Sequence, residues 1–448
     1  MLLKRFQVQG YKNFREPVVL DALARINVIH GPNNVGKSNL LQAIALFFFL
    51  LTPRGGEPKK IPIAFGEPLS ETELIGAGFA PNRIFNLQTQ QPIEMFATLA
   101  TESGELEALG IQELIDSKEV QIGIQLARIL DRIEVRITRF QFADGRDLAM
   151  RSASVEEHTF ALRFAVFLTR NFLVQTRSAG DRFALIGLDR RLYPAARHET
   201  AGGEAYAGVV PEKLMLELYD ARESIEPEIY GRWELFTRVM QRFGDMLGEG
   251  TFQALFNRAS GRATLAFQTP QARIPVDLLG SGIQQVVSIV ALLLMNRATL
   301  IGIEEPELNL RFDAQLRLRE ILVDIVSGSQ GSRQIFLTSH SPAFEHGACF
   351  YGMRSTPTGP VVERFPGAAA VAFTQHALAG EVPSGGAAIG YVSSDGLVRL
   401  PEAVRRELGL ERGGGIVIWR RKGAPYHELL TNEQFLEDMQ GAGDGDAG

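Results

Sequence analysis

Cysteine is almost missing from this chain of 448 residues: Cys349 stands alone. One thiol cannot close an internal disulfide or build a thiolate zinc cage, and such a chain is expected in a reducing cytoplasm. Long apolar runs are missing too. The longest, residues 43–51, falls far short of the roughly 20 residues that span a bilayer, so it reads as a buried helix and no membrane partner is expected. At the N-terminus Lys4 and Arg5 lead straight into alternating strand text, so no secretory leader is expected either. Positive charge is not in excess. A net charge of −6 excludes non-specific coating of nucleic acid by the whole surface and leaves only a local basic face for such contact. No clustered acidic triad, HxxxH pattern or Ser/His/Asp arrangement occurs, so a built-in nuclease is not expected. Apolar residues make up 45% of the chain, ample for large cores, and the length suits two or three domains.

Against these absences stands one dense motif. Residues 31–38 read Gly-Pro-Asn-Asn-Val-Gly-Lys-Ser, between an apolar strand pattern (Ile26, Val28, Ile29) and a helical one (Leu41, Ile44, Ala45, Phe48). Gly31 and Gly36 allow the backbone to turn its N–H groups inward on phosphates, and the helix from about Lys37 points its positive end at the same charge. Such a loop binds a nucleoside triphosphate, here ATP. Asn33, Asn34 and Asn39 complete its lining, Lys37 reaches the β- and γ-phosphates, and Ser38 holds Mg²⁺.

The C-terminal half supplies carboxylates and a histidine. Residues 299–303 read as a buried strand that delivers Glu304, Glu305, Pro306 and Glu307 to its carboxyl end, the edge where ligands bind in a doubly wound sheet. Adjacent carboxylates permit a division of labour, with Glu304 on the metal and Glu305 polarising the attacking water. Glu307 receives no role. A second apolar strand, residues 334–338, leads to His340 on the same edge, facing the γ-phosphate or its water. Before both lies Leu-Leu-Gly-Ser-Gly-Ile-Gln-Gln, residues 278–285, where Ser281 and Gly282 open an apolar helix and offer a second anion site.

Phosphate loop, small-residue helix start, twin carboxylates and histidine follow one another in the order of ATP-binding-cassette ATPases. The text around residues 3–14, 26–44 and 303–310 resembles the RecF, SMC and OLD-like branch of AAA-family ATPases. That resemblance covers residues 1 to about 365. It implies an α/β P-loop fold and composite sites between two heads packed head to tail, with Ser281 capping the γ-phosphate held by Lys37 of the other copy. Two departures stand out: the metal position carries Glu304 in place of the usual aspartate, and Gln88, Gln90 and Gln91 compete for the glutamine expected after the first helix.

Residues 1–54 are thus expected to begin the ATPase head, residues 55–275 to complete its strands and insert an α/β-helical lobe, and residues 276–365 to finish it. Within the lobe, residues 93–99 and 135–142 alternate like strands. Residues 155–174 and 211–247 are helical by pattern, and Ile229, Trp233, Phe236, Met240 and Phe243 form a core-facing stripe. At about 1.5 Å per residue these helices exclude a long SMC-type coiled-coil arm. Arg190 and Arg191 could touch phosphate or DNA, although solvated surface charge accounts for them more simply. Residues 348–365 form a hairpin, and residues 366–388, rich in Gly, Ala and Pro, a linker.

Residues 389–432 read as a turn, a strand ending at Leu400, a helix begun by Pro401 and stopped at Gly409, and a strand from Ile416; residues 433–448 are expected to be a disordered tail. Through Gly396, Leu400, Pro401, Arg405, Leu408, Gly409 and Leu410 the segment resembles the β-rich swapped-hairpin domain of AbrB and MazE-like DNA-binding proteins, although Gly414 and Gly415 replace the usual Gly-Asp. The resemblance implies dimerisation. Arg399, Arg405, Arg406, Arg412, Arg420, Arg421 and Lys422 are candidate phosphate contacts, while interspersed Glu402, Glu407 and Glu411 suit an ordinary solvated helix, so DNA binding and pure assembly both stay open. Two function classes follow. One is a DNA-associated ATPase in genome maintenance or defence against phage or plasmids, acting with a separately encoded effector. The other is an antitoxin-like regulator whose tail binds an operator under nucleotide control.

Overall fold

The computed structural model describes residues 2–51, 67–89, 91–100, 119–129, 132–142, 183–188, 211–258, 261–296, 298–327, 333–344 and 349–365, together with four short strands between 391 and 431. The chain divides into two compact units, residues 1–366 and 367–448.

In the first unit, β1 (Leu2–Gln9), β2 (Val18–Leu20) and β3 (Ile26–His30) precede α1 (Lys37–Leu51). Then come β4 (Glu67–Leu69), α2 (Glu71–Gly76), α3 (Pro81–Ile84), β5 (Ile93–Ala100), β6 (Glu119–Ile129), β7 (Arg132–Phe142) and β8 (Phe183–Ile186). After them run α4 (Pro211–Glu223), α5 (Pro227–Gln241) and α6 (Gly244–Leu247), then β9 (Thr251–Asn257), β10 (Arg262–Gln268) and β11 (Arg273–Pro275). The unit closes with α7 (Ser281–Met295), β12 (Leu300–Glu304), α8 (Phe312–Ser327), β13 (Gln334–Ser339), β14 (Phe350–Thr356) and β15 (Gly359–Phe365).

A six-stranded sheet in the order β15-β14-β3-β13-β12-β8 forms the centre, parallel throughout except for the β14–β15 hairpin. Strand alternation divides its side chains between two cores. Ile29, Phe183, Leu185, Leu300 and Phe336 face one core, built with α1 and the antiparallel sheet β2-β1-β5-β6-β7-β4. Val28, Ala184, Ile186, Ile301, Ile303, Ile335 and Leu337 face the other, built with α4, α5, α7 and α8. The sheet is therefore doubly wound, and its carboxyl edge is left for ligands.

Lying between two sheets, α1 is apolar on nearly every side. Phe47 meets Phe6 of β1 edge-on at 5.8 Å, and Phe48 stacks on Phe183 of β8 at 6.2 Å. Each fully buried Phe contributes roughly 1.5–3 kcal/mol by area, and these two fasten the phosphate-loop helix to both sheets.

Trp233, Phe236, Met240 and Phe243 are buried in the second core, with Ile229 packed against it. Several elements differ from the reading of the sequence: β7 begins at Arg132, β13 runs on to Ser339, Glu304 is the last residue of its strand, and β6 was not expected. β8 and the three-stranded sheet β11-β10-β9 had no counterpart in that reading. Among the described residues no helix is long and apolar enough to cross a membrane.

In the second unit, β16 (Tyr391–Val392) pairs antiparallel with β17 (Val398–Arg399), and β18 (Ile416–Trp419) with β19 (Glu428–Thr431). The helix expected at 155–174, Gln90, Arg190, Arg191, the linker at 366–388, the helix after Pro401, Arg405, Arg406, Arg420, Arg421 and residues 433–448 lie outside the described residues.

Candidate functional site

Parallel register brings three strand ends to one edge: Ser339 of β13 pairs with His30 of β3, and Thr338 with Glu304 of β12. The phosphate loop leaves β3, His340 follows β13, and Glu305 to Glu307 follow β12.

The loop is held by close backbone approach. A Cβ at Gly31 would lie 2.4 Å from the carbonyl oxygen of Met353, so only glycine fits against β14. Gly36 has φ +110°, outside the range of L side chains, and a Cβ there would meet Asn13 Nδ2 at 2.6 Å. Asn34 sits at φ +62°, a left-handed conformation that asparagine tolerates. Asn13 also clamps the loop actively: its Nδ2 donates to the Val35 carbonyl at 3.1 Å, and its Oδ1 accepts from Asn39 Nδ2 at 2.8 Å. Pro32, Asn33 and Asn34 are exposed at the crest, and Ser38 is half-buried behind them.

Lys37 is only 5% exposed, and its ammonium donates to the carbonyls of Gly31 at 2.8 Å and Pro32 at 3.0 Å. Burial lowers its pKa, opposed by the carboxylates of Glu305 and then Glu307. Its nitrogen lies 2.9 Å from His340 Nε2, and the same Nε2 lies 3.2 Å from Glu305 Oε1. One ring nitrogen cannot serve both partners alike. It accepts from Lys37 when the ring proton is on Nδ1 and donates to Glu305 when the proton is on Nε2.

Glu305 adopts φ +41°, an uncommon conformation for a side chain of this size that costs of order 1–3 kcal/mol. Its N–H donates to the Thr338 carbonyl at 2.8 Å, which holds the turn against β13. Glu304 is 6% exposed at the end of β12, with Gly187 beside it: a Cβ there would stand 3.7 Å from Glu304 Oε2. Glu307 reaches across to the histidine, as Oε1 accepts from the His340 N–H at 2.6 Å and from Ser339 Oγ at 3.0 Å.

Ser281 is the first residue of α7, exposed, with Gly280 before it at the N-cap. Among the described residues it shares no hydrogen bond with Lys37, Glu305 or His340. Gly282 has a packing reason as well: a Cβ would lie 2.6 Å from the Asn309 carbonyl oxygen. Of the glutamines weighed, Gln88 is exposed beside Asn86, and Gln91 donates to the Arg15 carbonyl at 2.8 Å. Arg399 lies in β17.

Sequence reasoning missed four residues here. Asn13 and Gln315 touch the site through partners distant in sequence, and His30, whose Nε2 is 3.2 Å from the His340 carbonyl oxygen, looked like a strand end. Glu307 carried a signal, its place after the twin carboxylates, but no visible partner.

A narrow glycine cradle, a buried ammonium at a helix start and a buried carboxylate opposite fit a magnesium-bound triphosphate. Lys37 would hold phosphate oxygens, and Ser38 with Glu304 would hold Mg²⁺. Among the described residues no three of His, Cys, Asp and Glu gather as a metal-holding group. None is required, since Mg²⁺ commonly takes one or two protein ligands with substrate oxygens and water.

Residues 5–163, which include Lys37, match an AAA domain family. Residues 264–344, which include Ser281, Glu305 and His340, match the family described as AAA domain, putative AbiEii toxin, Type IV TA system. A Helicobacter pylori ATP/GTP phosphatase is 20% identical over 345 residues, spanning 77% of this chain and 86% of that one. The structure of an SMC head bound to the C-winged helix domain of ScpA covers 83% of this chain and 100% of its own, at 15% identity and a TM-score of 0.50. Two separate stretches of the chain thus match AAA-domain families, and its fold is similar to that of an SMC head.

Proposed function

We propose that the chain hydrolyses Mg·ATP in a site completed by a second copy of itself, and that it works on DNA beside a separately encoded effector in genome maintenance or in defence against phage or plasmids. The observation that carries the catalytic part is the convergence of Lys37, Glu305 and His340 at one strand edge, with Lys37 Nζ and Glu305 Oε1 both within 3.2 Å of His340 Nε2. In this reading Lys37 binds the transferred phosphoryl group and Glu305 orients and polarises the attacking water. His340 passes between Lys37 and Glu305 as its ring proton moves from Nδ1 to Nε2, which links phosphate contact to the base. Bound Mg²⁺ supplies charge neutralisation on the phosphate oxygens. The defence setting draws support from the toxin–antitoxin wording of the second matched family.

The shared site rests on Ser281. It is an exposed hydroxyl at the start of a helix of 15 residues, a place suited to an anion. Mixing Lys37→Ala with Ser281→Arg protein puts one intact site in every hybrid dimer. Turnover is expected from the mixture and from neither parent; a mixture as inactive as its parents, although hybrids form, removes the composite site.

The tail unit is assigned to self-association. Two-stranded pairs as short as β16–β17 and β18–β19 bury too little to stand alone in water, and dimerisation supplies the missing core. It would also raise the effective concentration of the heads for each other. Deleting residues 367–448 is expected to weaken self-association of the remaining chain in sedimentation. Unchanged association would take the tail out of assembly.

A further inference from the structure

We propose that Glu307 is the positioning residue of His340, holding its ring between Lys37 and Glu305 through an acceptor oxygen and not through its charge; this rests on the ATPase reading above. Glu307 Oε1 accepts from the His340 backbone N–H at 2.6 Å and from Ser339 Oγ at 3.0 Å. Ser339 Oγ in turn accepts from the Ser341 N–H at 3.0 Å. Ser341 Oγ donates to Gln315 Oε1, and Gln315 Nε2 donates to the Leu310 carbonyl at 2.8 Å. The bonds thereby run from the turn after Glu305, through the residues flanking His340, to α8, and back to the same turn.

This loop of bonds decides where His340 lies. Ser339 is fully buried, and Ser341 nearly so, so their groups have no water to fall back on. His340 itself is part-exposed, and its ring is not gripped by a tight core. Its backbone is gripped instead, from one side by Glu307 and from the other by His30 Nε2, 3.2 Å from its carbonyl oxygen. With Oε1 already engaged by two donors, what Glu307 contributes is geometry. The base remains Glu305, whose Oε1 faces the ring.

An acceptor role and a charge role separate cleanly in two variants. Glu307→Gln keeps a side-chain oxygen at the same reach, whereas Glu307→Ala leaves the His340 N–H and the Ser339 hydroxyl without it. Glu307→Ala is expected to lower kcat by roughly 10- to 100-fold, the cost of misplacing a group by about an ångström, with KM for Mg·ATP little changed. Glu307→Gln restores most of kcat. In parallel, the ¹⁵N signals of the His340 ring, identified by their loss in His340→Gln, are read in the full chain without nucleotide. They should shift or broaden in Glu307→Ala and return toward the wild-type position in Glu307→Gln, because the ring's tautomer depends on what it faces. Ser339→Ala, which removes one of the two donors, should give an intermediate spectrum. Equal loss of kcat in the Gln and Ala variants, or a His340 signal unmoved in Glu307→Ala, overturns the proposal. Absence of turnover in the wild-type chain would count against the ATPase reading alone, since the ring signals still decide the position of His340.

Discussion

Glu305→Gln is expected to slow ATP hydrolysis by roughly 10²- to 10⁴-fold, the contribution of a positioned general base, while Mg·ATP stays bound. In free energy that is about 3–5 kcal/mol of barrier. Two features of the residue carry the expectation. Its backbone occupies φ +41°, a strained conformation held by the bond to the Thr338 carbonyl, and its Oε1 lies 3.2 Å from the His340 nitrogen that also meets Lys37. The amide keeps the volume and one acceptor oxygen but loses the basicity, so ground-state binding is spared and turnover is not. Phosphate release measured beside equilibrium binding separates the two. Unchanged turnover would remove Glu305 from the role and leave Glu304 or Glu307 to be tested in its place.

Lys37→Met is expected to weaken Mg·ATP binding without weakening the fold. Truncating one member of a buried, hydrogen-bonded charge pair costs about 2–5 kcal/mol, which corresponds to an affinity lower by about 30- to 5,000-fold. The unliganded protein behaves differently. Burial is the largest influence on Lys37 and lowers its pKa, so the unfolded chain holds this proton more tightly than the folded one. By linkage, stability then rises with pH through that window: the penalty is full below the folded pKa and fades as pH climbs past the ordinary lysine value of 10.5. Methionine fills a similar volume without charge. Thermal unfolding of Lys37→Met is therefore expected at or above the wild-type temperature, with a flatter alkaline pH dependence, in the same preparation that fails to bind nucleotide. A lower unfolding temperature would show that Lys37 holds the loop together instead.

What was legible in the sequence was local. Gly31, Gly36, Lys37 and Ser38 are recognisable because strand, turn and helix signals abut within one short stretch, and Glu304 and His340 are recognisable because each follows a buried strand. The order of the strands explains the rest. No local pattern says that β3 lies between β14 and β13, and that placement puts His340 against Lys37, some 303 positions away in the chain. β8 escaped because its four residues, Phe183 to Ile186, are buried on both faces and show no alternation to detect. Asn13 received no role in the sequence; its partners Val35 and Asn39 appear only when β1 is laid beside α1 through the first core. Gly282 was read for anion binding, yet the Asn309 carbonyl gives it a second reason to be glycine. Glu307 was seen beside its neighbours and left idle, because its partners Ser339 and His340 come from another strand end.

The central claim is that Lys37, Glu305 and His340 form one ATP-hydrolysing site, and the nucleotide recovered from Glu305→Gln protein after incubation with Mg·ATP tests it most directly. Intact ATP is expected on the variant, where wild-type protein handled in parallel yields ADP and phosphate. Recovery of ADP at the wild-type rate, or of no bound nucleotide at all, would contradict it.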